Sequence, residues 1–340
     1  MSDAKRIRLD AGAAPVIVTH SGTFHADDAL AVSFLRKLPA LATAALVRTR
    51  DPAEIVKGTV VVDVGAEYDP GAHRYDHHQR GFSETLDAEH NTKLSSAGLV
   101  WKHFGRDVLA AHMGVSEDDA RIPRLYRKMY DDFVEAIDAI DNGIALYPNT
   151  TESPTYRSRT DLSSRVGFMN PRWNQPFDEA DLLARFERAT AMAGGEFFER
   201  VDDALLAWLP ARDIVRDALS ARTSFPGADE RGRIVLFDRI VGWKGHIYEL
   251  EKELDIPAAD VPLYVVYPDE SGKWRVQAVP VSSESFESRR ALPEPWRGIR
   301  DADLDKLSGI GSCVFVHQSG FIGGNATKEG ALEMARRALQ

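Results

Sequence analysis

Cysteine is almost absent from this chain of 340 residues, which has only Cys313. One cysteine excludes an internal disulfide framework and suits a reducing compartment. Long apolar runs are also missing, and none approaches the roughly 18 residues that indicate a membrane span. The N-terminal stretch has no apolar core of a signal peptide, and Asp3 and Asp10 do not fit a mitochondrial presequence. We therefore expect a cytoplasmic protein without membrane contact, in which residues 1–13 form a disordered tail.

Basic residues are fewer than acidic ones, 42 against 52, and the formal net charge is −10. Proteins that coat nucleic acid usually present a basic face, because phosphate neutralisation dominates their affinity. The charge argues against such a protein, but not against an enzyme that holds one strand end through a local patch. Two arginine groups are candidates, with a solvated surface as the alternative for each: Arg157, Arg159, Arg165 and Arg172, then Arg289, Arg290, Arg297 and Arg300.

Histidine, by contrast, is concentrated near the N-terminus, where six of the ten lie within the first 90 residues. Residues 20–28 read HSGTFHADD, and the triplet Asp76-His77-His78 follows the lone acid Asp63. Imidazole nitrogen and carboxylate oxygen together suit Mn, Fe, Co or Zn, and the lack of cysteine argues against a thiolate zinc site. The pattern therefore indicates a hydrolytic metal centre.

Strands and helices alternate in the first half of the chain. Helical spacing of apolar residues predicts helices over 27–38, 95–104 and about 126–144, and short apolar runs predict strands over 15–19, 44–47 and 59–64. Such alternation is typical of an α/β domain with a doubly wound, mainly parallel sheet. We place this metal-binding domain at residues 14–177.

The pattern changes in the second half. Residues 178–221 are mostly helical, which predicts a helical connector over 178–228. Strands are then predicted over 233–237, 263–267, 274–279 and 313–316, and helices over about 243–254 and 327–339. These elements predict a second, smaller α+β domain over residues 229–340.

The candidate metal ligands follow predicted strands. In an open α/β sheet, ligands bind beyond the carboxyl ends of the strands. His20, His25 and Asp27 come after the first strand, and Asp63 closes the third, with the Asp-His-His triplet in the next loop. Taken singly, Asp27 is explained as a helix N-cap and Asp63 as a turn former. Their coincidence at strand ends favours a metal site.

Two further acids, Asp138 and Asp141, lie three residues apart on one flank of the long predicted helix. A solvated helix flank is the alternative for both, and Asp141 is preferred as the residue that completes the site. Six or seven such ligands are too many for one tetrahedral zinc ion. They suit two metal ions that lie about 3.5–4 Å apart and share a bridging carboxylate. Enzymes use such a pair of ions for in-line displacement at phosphorus. His78 would then hydrogen-bond a substrate phosphate or protonate the leaving oxygen.

Several segments together resemble the DHH phosphoesterase superfamily, and most closely its melanocyte-proliferating-gene branch. They are THSGTFHADDALA, VVDVG, YDHHQRGF, KLSSAGLVW, FVEAIDAIDNGI and FVHQSGFIGGNATKEGALEMA, and they cover nearly the whole chain after the tail. The usual first motif of the superfamily has His followed by Asp-x-Asp, whereas this chain has His25-x-Asp27. His20 is therefore either a ligand or a supporting hydrogen-bonding residue.

The resemblance implies roles for the other residues of the site. Asp63 would bridge the two ions, His77 and Asp141 would be ligands together with His25 and Asp27, and Asp76 would be a ligand or support one. It also implies a 3′→5′ exonuclease that uses two Mn²⁺ ions on single-stranded RNA or a short oligonucleotide, with Mg²⁺, Co²⁺ and Zn²⁺ as alternatives. A hydrolase of dinucleotides or pyrophosphate stays open, as does a non-catalytic, metal-stabilised binding protein. The oligomeric state is also open, a homodimer included.

A glycine-rich segment in the second domain is a candidate for substrate binding. Glycines let backbone amides approach a phosphate, and a helix beginning near Thr327 would offer its positive end to an anion. The resemblance implies that this segment holds substrate across an interdomain cleft, through His317, Gly323 and Gly324; a plain strand-to-helix turn is the alternative. Phe321 would stack on a base or pack in the core. Arg172, in the stretch NPRWN, is a candidate phosphate contact.

Overall fold

The computed structural model of the protein describes Ile7, residues 14–147 and residues 156–340. The chain divides into two compact units, Met1–Ala204 and Leu205–Gln340. Each unit has one five-stranded sheet among its described residues, together with helices, so the prediction of a mixed α/β protein is confirmed. Apart from Ile7, the tail predicted for residues 1–13 lies outside the described residues. None of the described helices is both long and apolar enough to cross a membrane.

The sheet of the first unit has the strand order β2-β1-β3-β5-β4. Neighbours are parallel except for β4, which runs antiparallel to β5. The strands are β1 (Val16–Thr19), β2 (Ala45–Arg48), β3 (Val60–Val62), β4 (Tyr68–Asp69) and β5 (Arg74–Tyr75). The three strands predicted in this region are therefore confirmed, with bounds that differ by one or two residues, whereas β4 and β5 are too short to leave a periodic signal.

The central position of β1 and β3 explains their apolar sequences. Ile17, Val18 and the whole of β3 are buried, because strands inside a parallel sheet are covered on both faces. Since β1 lies between β2 and β3, the chain extends the sheet first on one side of β1 and then on the other. The carboxyl ends of β1 and β3 are thus neighbours, and this edge carries the candidate site. The fully doubly wound arrangement stays a prediction.

Seven α-helices accompany this sheet in the described part of the first unit. They are α1 (Ala26–Lys37), α2 (Pro52–Ile55), α3 (Ser96–Met113), α4 (Ile122–Met129), α5 (Glu135–Asp141), α6 (Leu162–Met169) and α7 (Glu179–Asp203). The long helix predicted over about 126–144 consists of α4, a π-helical turn at Tyr130–Val134, and α5. It ends just before Gly143, whose φ of 66° is the left-handed conformation common after a helix end.

Aromatic rings fill the contact between α1, α3 and α7. Phe34 of α1 lies 5.2 Å from the ring of Trp101 and 4.7 Å from that of Phe197, measured between ring centroids. Trp101 and Phe197 are 5.1 Å apart. The backbones also approach closely, because a Cβ atom on Gly194 of α7 would collide with Ser33 of α1. These contacts anchor α1, whose first turn carries two of the candidate acids.

The second unit has the strand order β6-β7-β8-β10-β9, parallel between β6 and β7 and antiparallel elsewhere. The strands are β6 (Ile234–Leu236), β7 (Tyr264–Pro268), β8 (Trp274–Ala278), β9 (Cys313–Val316) and β10 (Ile322–Asn325). The helices are α8 (Leu209–Ser220), α9 (Lys244–Glu253), α10 (Asp301–Ser308) and α11 (Lys328–Ala338). The four predicted strands and the two predicted helices of this region are confirmed.

The helical stretch predicted as a connector over 178–228 is divided between the two units. Helix α7 packs against α1 in the first unit, and α8 packs against α9 in the second. A π-helical turn, Ala204–Trp208, lies between α7 and α8. Pro210 lies in the first turn of α8, where its missing N–H costs no hydrogen bond.

Candidate metal centre

The candidate ligands come together at the carboxyl edge of β1 and β3. Three overlapping sets of donor atoms occur here in the described chain, and within each set all donor atoms lie within 4.8 Å of one another. The sets are His20, His25 and Asp63; Asp63, His77 and His78; and His25, Asp27 and Asp141. All six residues expected to be ligands belong to one of these sets, together with His78.

Asp63 is directly after β3 and has a left-handed backbone, with φ of 56°. Aspartate tolerates this conformation better than most residues, and such backbone strain is concentrated at functional sites. The Asp63 N–H donates to the carbonyl of Tyr75 at 3.2 Å, which ties the turn to the neighbouring strand. The turn therefore directs the Asp63 carboxylate into the cluster of histidines.

The two oxygens of the Asp63 carboxylate face different histidines. Oδ2 lies 3.3 Å from Nε2 of His20, and Oδ1 lies 3.4 Å from Nε2 of His77. Oδ1 also accepts a hydrogen bond from the Ser96 hydroxyl at 3.1 Å. Burial alone would raise the pKa of Asp63, but its contacts with His20 and His77 outweigh burial and hold the pKa well below its usual range.

His20 is buried between carboxylates on one side and a guanidinium on the other. Its Nε2 lies 3.1 Å from Oδ2 of Asp28, and its Nδ1 lies 3.2 Å from Nη2 of Arg50. Burial lowers the pKa of His20, yet the hydrogen bonds and charges of Asp28 and Asp63 outweigh it and raise the pKa to about 10. Nδ1 also lies 3.1 Å from the Ser21 carbonyl oxygen, so each ring nitrogen of a protonated His20 has an oxygen to which it can donate.

His77 is buried against Asp141, with its Nε2 3.2 Å from Oδ2 of that residue. Neither ring nitrogen of His77 makes a well-aligned hydrogen bond within the described part of the chain. Burial lowers the pKa of His77, but the carboxylates of Asp141 and Asp63 outweigh this effect and raise the pKa to about 9. Buried nitrogens of this kind require a partner.

Asp27 is also buried, and neither of its carboxylate oxygens has a hydrogen-bond partner among the described residues. Burial raises its pKa well above the usual value, and the charges of Asp63, Asp141 and Asp28 add to the effect. The alternative reading of Asp27 as the N-cap of α1 is wrong, because His25 holds that position. The structure thus buries Asp27 without a capping role.

Asp28 supplies the cap instead, and it was not among the residues selected from the sequence. Its Oδ1 accepts hydrogen bonds from the backbone N–H groups of His25 at 2.9 Å and Ala29 at 2.8 Å. Burial raises its pKa, while the contact with His20 opposes the rise. The available signal was an acid three residues after the N-cap, the position from which a side chain can return to the cap N–H.

The first residue of the Asp-His-His triplet, Asp76, organises the loop. Its Oδ2 accepts the Ala66 N–H at 2.6 Å, and its Oδ1 accepts the His78 N–H at 3.0 Å. The same Oδ1 lies 2.9 Å from Nδ1 of His78. Asp76 is buried, whereas 62 % of the His78 side chain is exposed, so Asp76 orients an imidazole that solvent and substrate can reach.

Asp138 contacts different residues from Asp141. Its Oδ1 accepts three hydrogen bonds from the first turn of α3: the Ser95 N–H at 2.9 Å, the Ser95 hydroxyl at 2.6 Å and the Gly98 N–H at 3.0 Å. Burial raises the pKa of Asp138 to about 7, even though these hydrogen bonds oppose the rise. Asp138 therefore stabilises the start of α3, while Asp141 lies among the candidate donors.

A pocket of about 750 Å³ opens over the cluster. Most of the candidate ligands line it, together with Asp76, Arg50, Ile140 and Ser163. Arg50 was not selected from the sequence, although it lies two residues after β2 and thus near the same edge of the sheet. The pocket therefore combines several acids and imidazoles with a guanidinium.

The residues of the site fit divalent cations. Buried carboxylates and imidazoles of this kind are the donors that Mn²⁺, Co²⁺ and Zn²⁺ accept. The oxygens of Asp27 and the ring nitrogens of His77 are buried without hydrogen bonds, as expected of ligand atoms that a cation would satisfy. The raised pKa values of His20 and His77 reflect the excess of nearby negative charge, which a cation would also neutralise.

The glycines expected to bind substrate in the second unit lie inside a strand. Gly323 and Gly324 belong to β10, which pairs with β8 and β9, and both are buried. A Cβ atom on Gly323 would lie 3.0 Å from Leu292 Cδ1, so a larger residue here would require its neighbours to shift by a few tenths of an ångström. The helix expected near Thr327 is confirmed, with Thr327 as its N-cap. Substrate binding by these two glycines stays a prediction.

The other two candidate substrate contacts are exposed. His317 follows β9, with its Nδ1 3.0 Å from the Ser319 hydroxyl and its ring 4.8 Å from that of Phe321. Arg172 lies in the turn after α6, where its carbonyl accepts the Gln175 N–H at 3.0 Å. Both side chains are free to meet a ligand, and their roles stay predictions.

Comparisons with known proteins identify the family. Residues 16–339 match the family model of MYG1 exonucleases, described as an uncharacterised protein family (UPF0160). The mouse protein named MYG1 exonuclease is 50% identical over 99% of this chain and 88% of its own length, and the human one is 49% identical over 98% and 88%. A MYG1 protein of Saccharomyces cerevisiae is 42% identical over the full length of both chains. The chain therefore belongs to the MYG1 exonuclease family.

Proposed function

We propose that this protein is a metal-dependent phosphodiester hydrolase that removes nucleotides from the 3′ end of single-stranded RNA. Its membership of a family whose mouse and human members are named exonucleases supports a nuclease-type hydrolase. We also propose the RNA substrate, the 3′→5′ direction of hydrolysis and placement in the DHH superfamily. We further propose that the enzyme uses two divalent ions, of which Mn²⁺ is the first choice.

The observation that carries the proposal is the position of the Asp63 carboxylate. Its two oxygens face His20 on one side and His77 on the other, and both imidazoles are buried. A carboxylate shared by two sets of donors is the arrangement that two bridged cations require. We assign His20, His25 and Asp27, together with Asp63, His77 and Asp141, as the residues that would hold the ions.

When bound, such a pair of ions supplies an activated water and positive charge for the phosphoryl oxygens. The protein contributes rigid positions for the donors: α1 carries Asp27 on its first turn, and the backbone turn at Asp63 presents that carboxylate. Preorganised groups of this kind need little rearrangement during the reaction.

We assign His78 to proton transfer. Asp76 lies 2.9 Å from Nδ1 of His78, which leaves Nε2 as the nitrogen free to meet substrate. A protonated Nε2 would donate either to the leaving 3′ oxygen or to a non-bridging oxygen of the substrate phosphate. Asp76 acts through His78, by fixing its tautomer and orientation.

We assign Arg50 to the substrate phosphate. Its guanidinium lines the pocket and holds the Ser21 carbonyl at 3.2 Å through Nε. Guanidinium groups suit phosphate because they offer several donors in one plane. Arg50→Lys keeps the charge but loses this geometry, so we expect a raised KM with a smaller change in kcat.

The test is hydrolysis of a 5′-labelled single-stranded RNA with Mn²⁺, with added EDTA and a His77→Ala variant as negative controls. His112→Ala is the matched control, because His112 lies on the last turn of α3 and pairs with Asp202 at 2.7 Å. We expect a ladder that shortens from the 3′ end with the wild-type protein and His112→Ala, and none with EDTA or His77→Ala. Absence of cleavage by folded, Mn²⁺-loaded protein would contradict RNA hydrolysis, and dinucleotides and pyrophosphate would be tried next.

A further inference from the structure

One segment of the first unit, residues 156–177, combines basic and aromatic side chains that the proposed reaction does not use. It has four arginines and one acid, Asp161, which gives a formal charge of +3 in a chain of −10. It also has four aromatic residues, Tyr156, Phe168, Trp173 and Phe177. We call it the aromatic–basic segment.

The aromatic side chains of this segment face solvent. Trp173 is 97% exposed, Phe168 86% and Tyr156 77%, whereas aromatic residues of this size are normally at least partly covered. Helix α6 shows why: Leu162 and Val166 form its buried stripe, and Phe168 lies two residues beyond Val166, on the opposite face. The exposure therefore follows from the fold of the segment.

Three of its arginines are also exposed and make no ion pair within the described residues: Arg157, Arg159 and Arg172. Arg165 differs, because its guanidinium is held by Glu196 of α7, with Nη2 2.7 Å from Oε2. The exposed guanidinium groups are thus interleaved with exposed rings along one stretch of chain. Arginine and aromatic residues in this combination are typical of surfaces that bind single-stranded nucleic acid.

Hydrogen bonds connect the segment to a loop of the candidate metal centre. Asn170 bonds Phe24 twice, through Nδ2 to the Phe24 carbonyl at 2.9 Å and from the Phe24 N–H to Oδ1 at 3.0 Å. Phe24 lies between His20 and His25, in the loop that leads into α1. Near the N-terminal end of α6, Ser163 lines the pocket over the candidate ligands. The aromatic–basic segment therefore borders that pocket at Ser163.

We propose that the aromatic–basic segment binds the single-stranded part of the substrate outside the pocket, an inference that rests on the proposed function. Phe168 and Trp173 stack on bases, and Arg157, Arg159 and Arg172 contact phosphates. The remainder of the chain is strongly acidic and repels a polyanion, so a positive segment beside the pocket captures and orients the strand. Stacking needs no base identity, which suits an enzyme that shortens RNA of any sequence.

The test is binding of a labelled single-stranded RNA of about 12 nucleotides to the full-length protein in EDTA, where no hydrolysis occurs. Trp173→Ala and Phe168→Ala are compared with Phe286→Ala, an aromatic residue that is fully exposed but flanked by Glu284 and Glu287. We expect each of the first two changes to weaken binding about tenfold, and Phe286→Ala to leave both binding and hydrolysis unchanged.

Salt dependence provides a second readout. Each phosphate contact in a single strand contributes about 0.7 to the slope of log affinity against log salt. Replacing Arg157, Arg159 and Arg172 with alanine should therefore reduce the slope by about 2. The Arg165→Ala change should alter it less, because Glu196 already neutralises that guanidinium.

Each outcome bears on the inference separately from the proposed reaction. Unchanged RNA affinity in Trp173→Ala and Phe168→Ala would overturn the inference even if the wild-type protein hydrolyses RNA. Absence of RNA binding by the wild-type protein would overturn it too. Wild-type binding that these variants weaken, without any hydrolysis, would support the inference and refute the proposed reaction. If Trp173→Ala converts a dimer to a monomer at unchanged RNA affinity, the segment is a self-association surface instead.

Discussion

Ser95 donates two hydrogen bonds to one oxygen of Asp138, from its backbone N–H at 2.9 Å and from its hydroxyl at 2.6 Å. With the Gly98 N–H, these bonds hold the beginning of α3 against α5. Asp141, one turn further along α5, faces His77 instead. Two acids on one helical flank thus have different tasks, and each can be tested alone.

Replacing Asp141 with asparagine should weaken metal binding, and the same replacement of Asp138 should not. At position 141 the amide lacks the negative charge that a cation requires, whereas at position 138 its oxygen can still accept from Ser95. We expect Mn²⁺ to raise the Tm of the wild-type protein and of Asp138→Asn, and to raise that of Asp141→Asn far less. Asp132→Asn, an exposed change on the preceding π-helical turn, is the control for loss of one acidic charge outside the site, together with its surface ion pair to Lys128. Equal Mn²⁺ responses in all four proteins would remove Asp141 from the site.

Asp138 should also make the protein less stable as the pH rises. Its pKa is raised from 3.8 to about 7, so the folded state binds a proton that the unfolded state has lost over this range. Linkage then gives a free energy of unfolding that falls between pH about 4 and pH about 7. Asn at position 138 cannot titrate, so the free energy of unfolding of Asp138→Asn should fall less over this range, by on the order of 4 kcal/mol. Urea unfolding at several pH values measures the difference, and parallel curves would refute it.

Asp27 and Asp28 should respond oppositely to alanine in metal-free protein. Both are buried, but Asp27 has no hydrogen-bond partner among the described residues, whereas Asp28 accepts two backbone N–H groups. Removing an unpaired buried carboxylate relieves a desolvation cost, so Asp27→Ala should leave metal-free stability equal or higher. Asp28→Ala loses the helix cap and should cost about 1–3 kcal/mol.

Addition of Mn²⁺ should reverse the advantage of Asp27→Ala, because the wild-type protein alone gains the stabilisation that this ligand provides. Denaturant unfolding of each variant with EDTA and with Mn²⁺ makes the comparison. An Asp27→Ala variant that is strongly destabilised in EDTA would show that Asp27 is structural and not a ligand.

Replacing each of two adjacent glycines of α7 with alanine should change the stability of the protein in opposite directions. A Cβ atom on Gly194 would collide with the Ser33 side chain, whereas one on Gly195 would have nothing within 4 Å. Gly194→Ala should therefore destabilise the protein by about 1–3 kcal/mol through overpacking. Gly195→Ala should stabilise it by up to about 1 kcal/mol, because alanine favours helix. Thermal unfolding of both variants checks the contact of α1 with α7, and similar Tm shifts in the two would contradict it.

Much of the architecture was predictable because its signals are local. The apolar runs of β1 and β3 and the helical stripe of α1 each lie within about a dozen residues, and the structure forms all three. The strand-end rule then placed His20 and Asp63 at one edge, because parallel neighbours end on the same side of a sheet. β4 and β5, of two residues each, are too short for any periodic signal.

Non-local contacts explain the features that could not be predicted from sequence patterns. Glycine content could not distinguish a binding turn from a strand at Gly323, because the strands beside β10 are supplied by distant parts of the chain. Arg50 meets His20 across 30 residues, and nothing in its own neighbourhood indicates this contact. Asp28 was hidden by its neighbour Asp27, since only the backbone geometry of α1 shows which acid caps the helix.

The sequence by itself determined the kinds of donor atom and their places after β1 and β3, because residue identity and strand periodicity are properties of short segments. It also determined the charge contrast between residues 156–177 and the rest of the chain. Only the tertiary structure decided which acids meet which histidines, and that Asp138 bonds to α3 while Asp141 faces His77. The reason is physical: hydrogen bonds and desolvation act over a few ångströms between groups that are more than 40 residues apart in the chain.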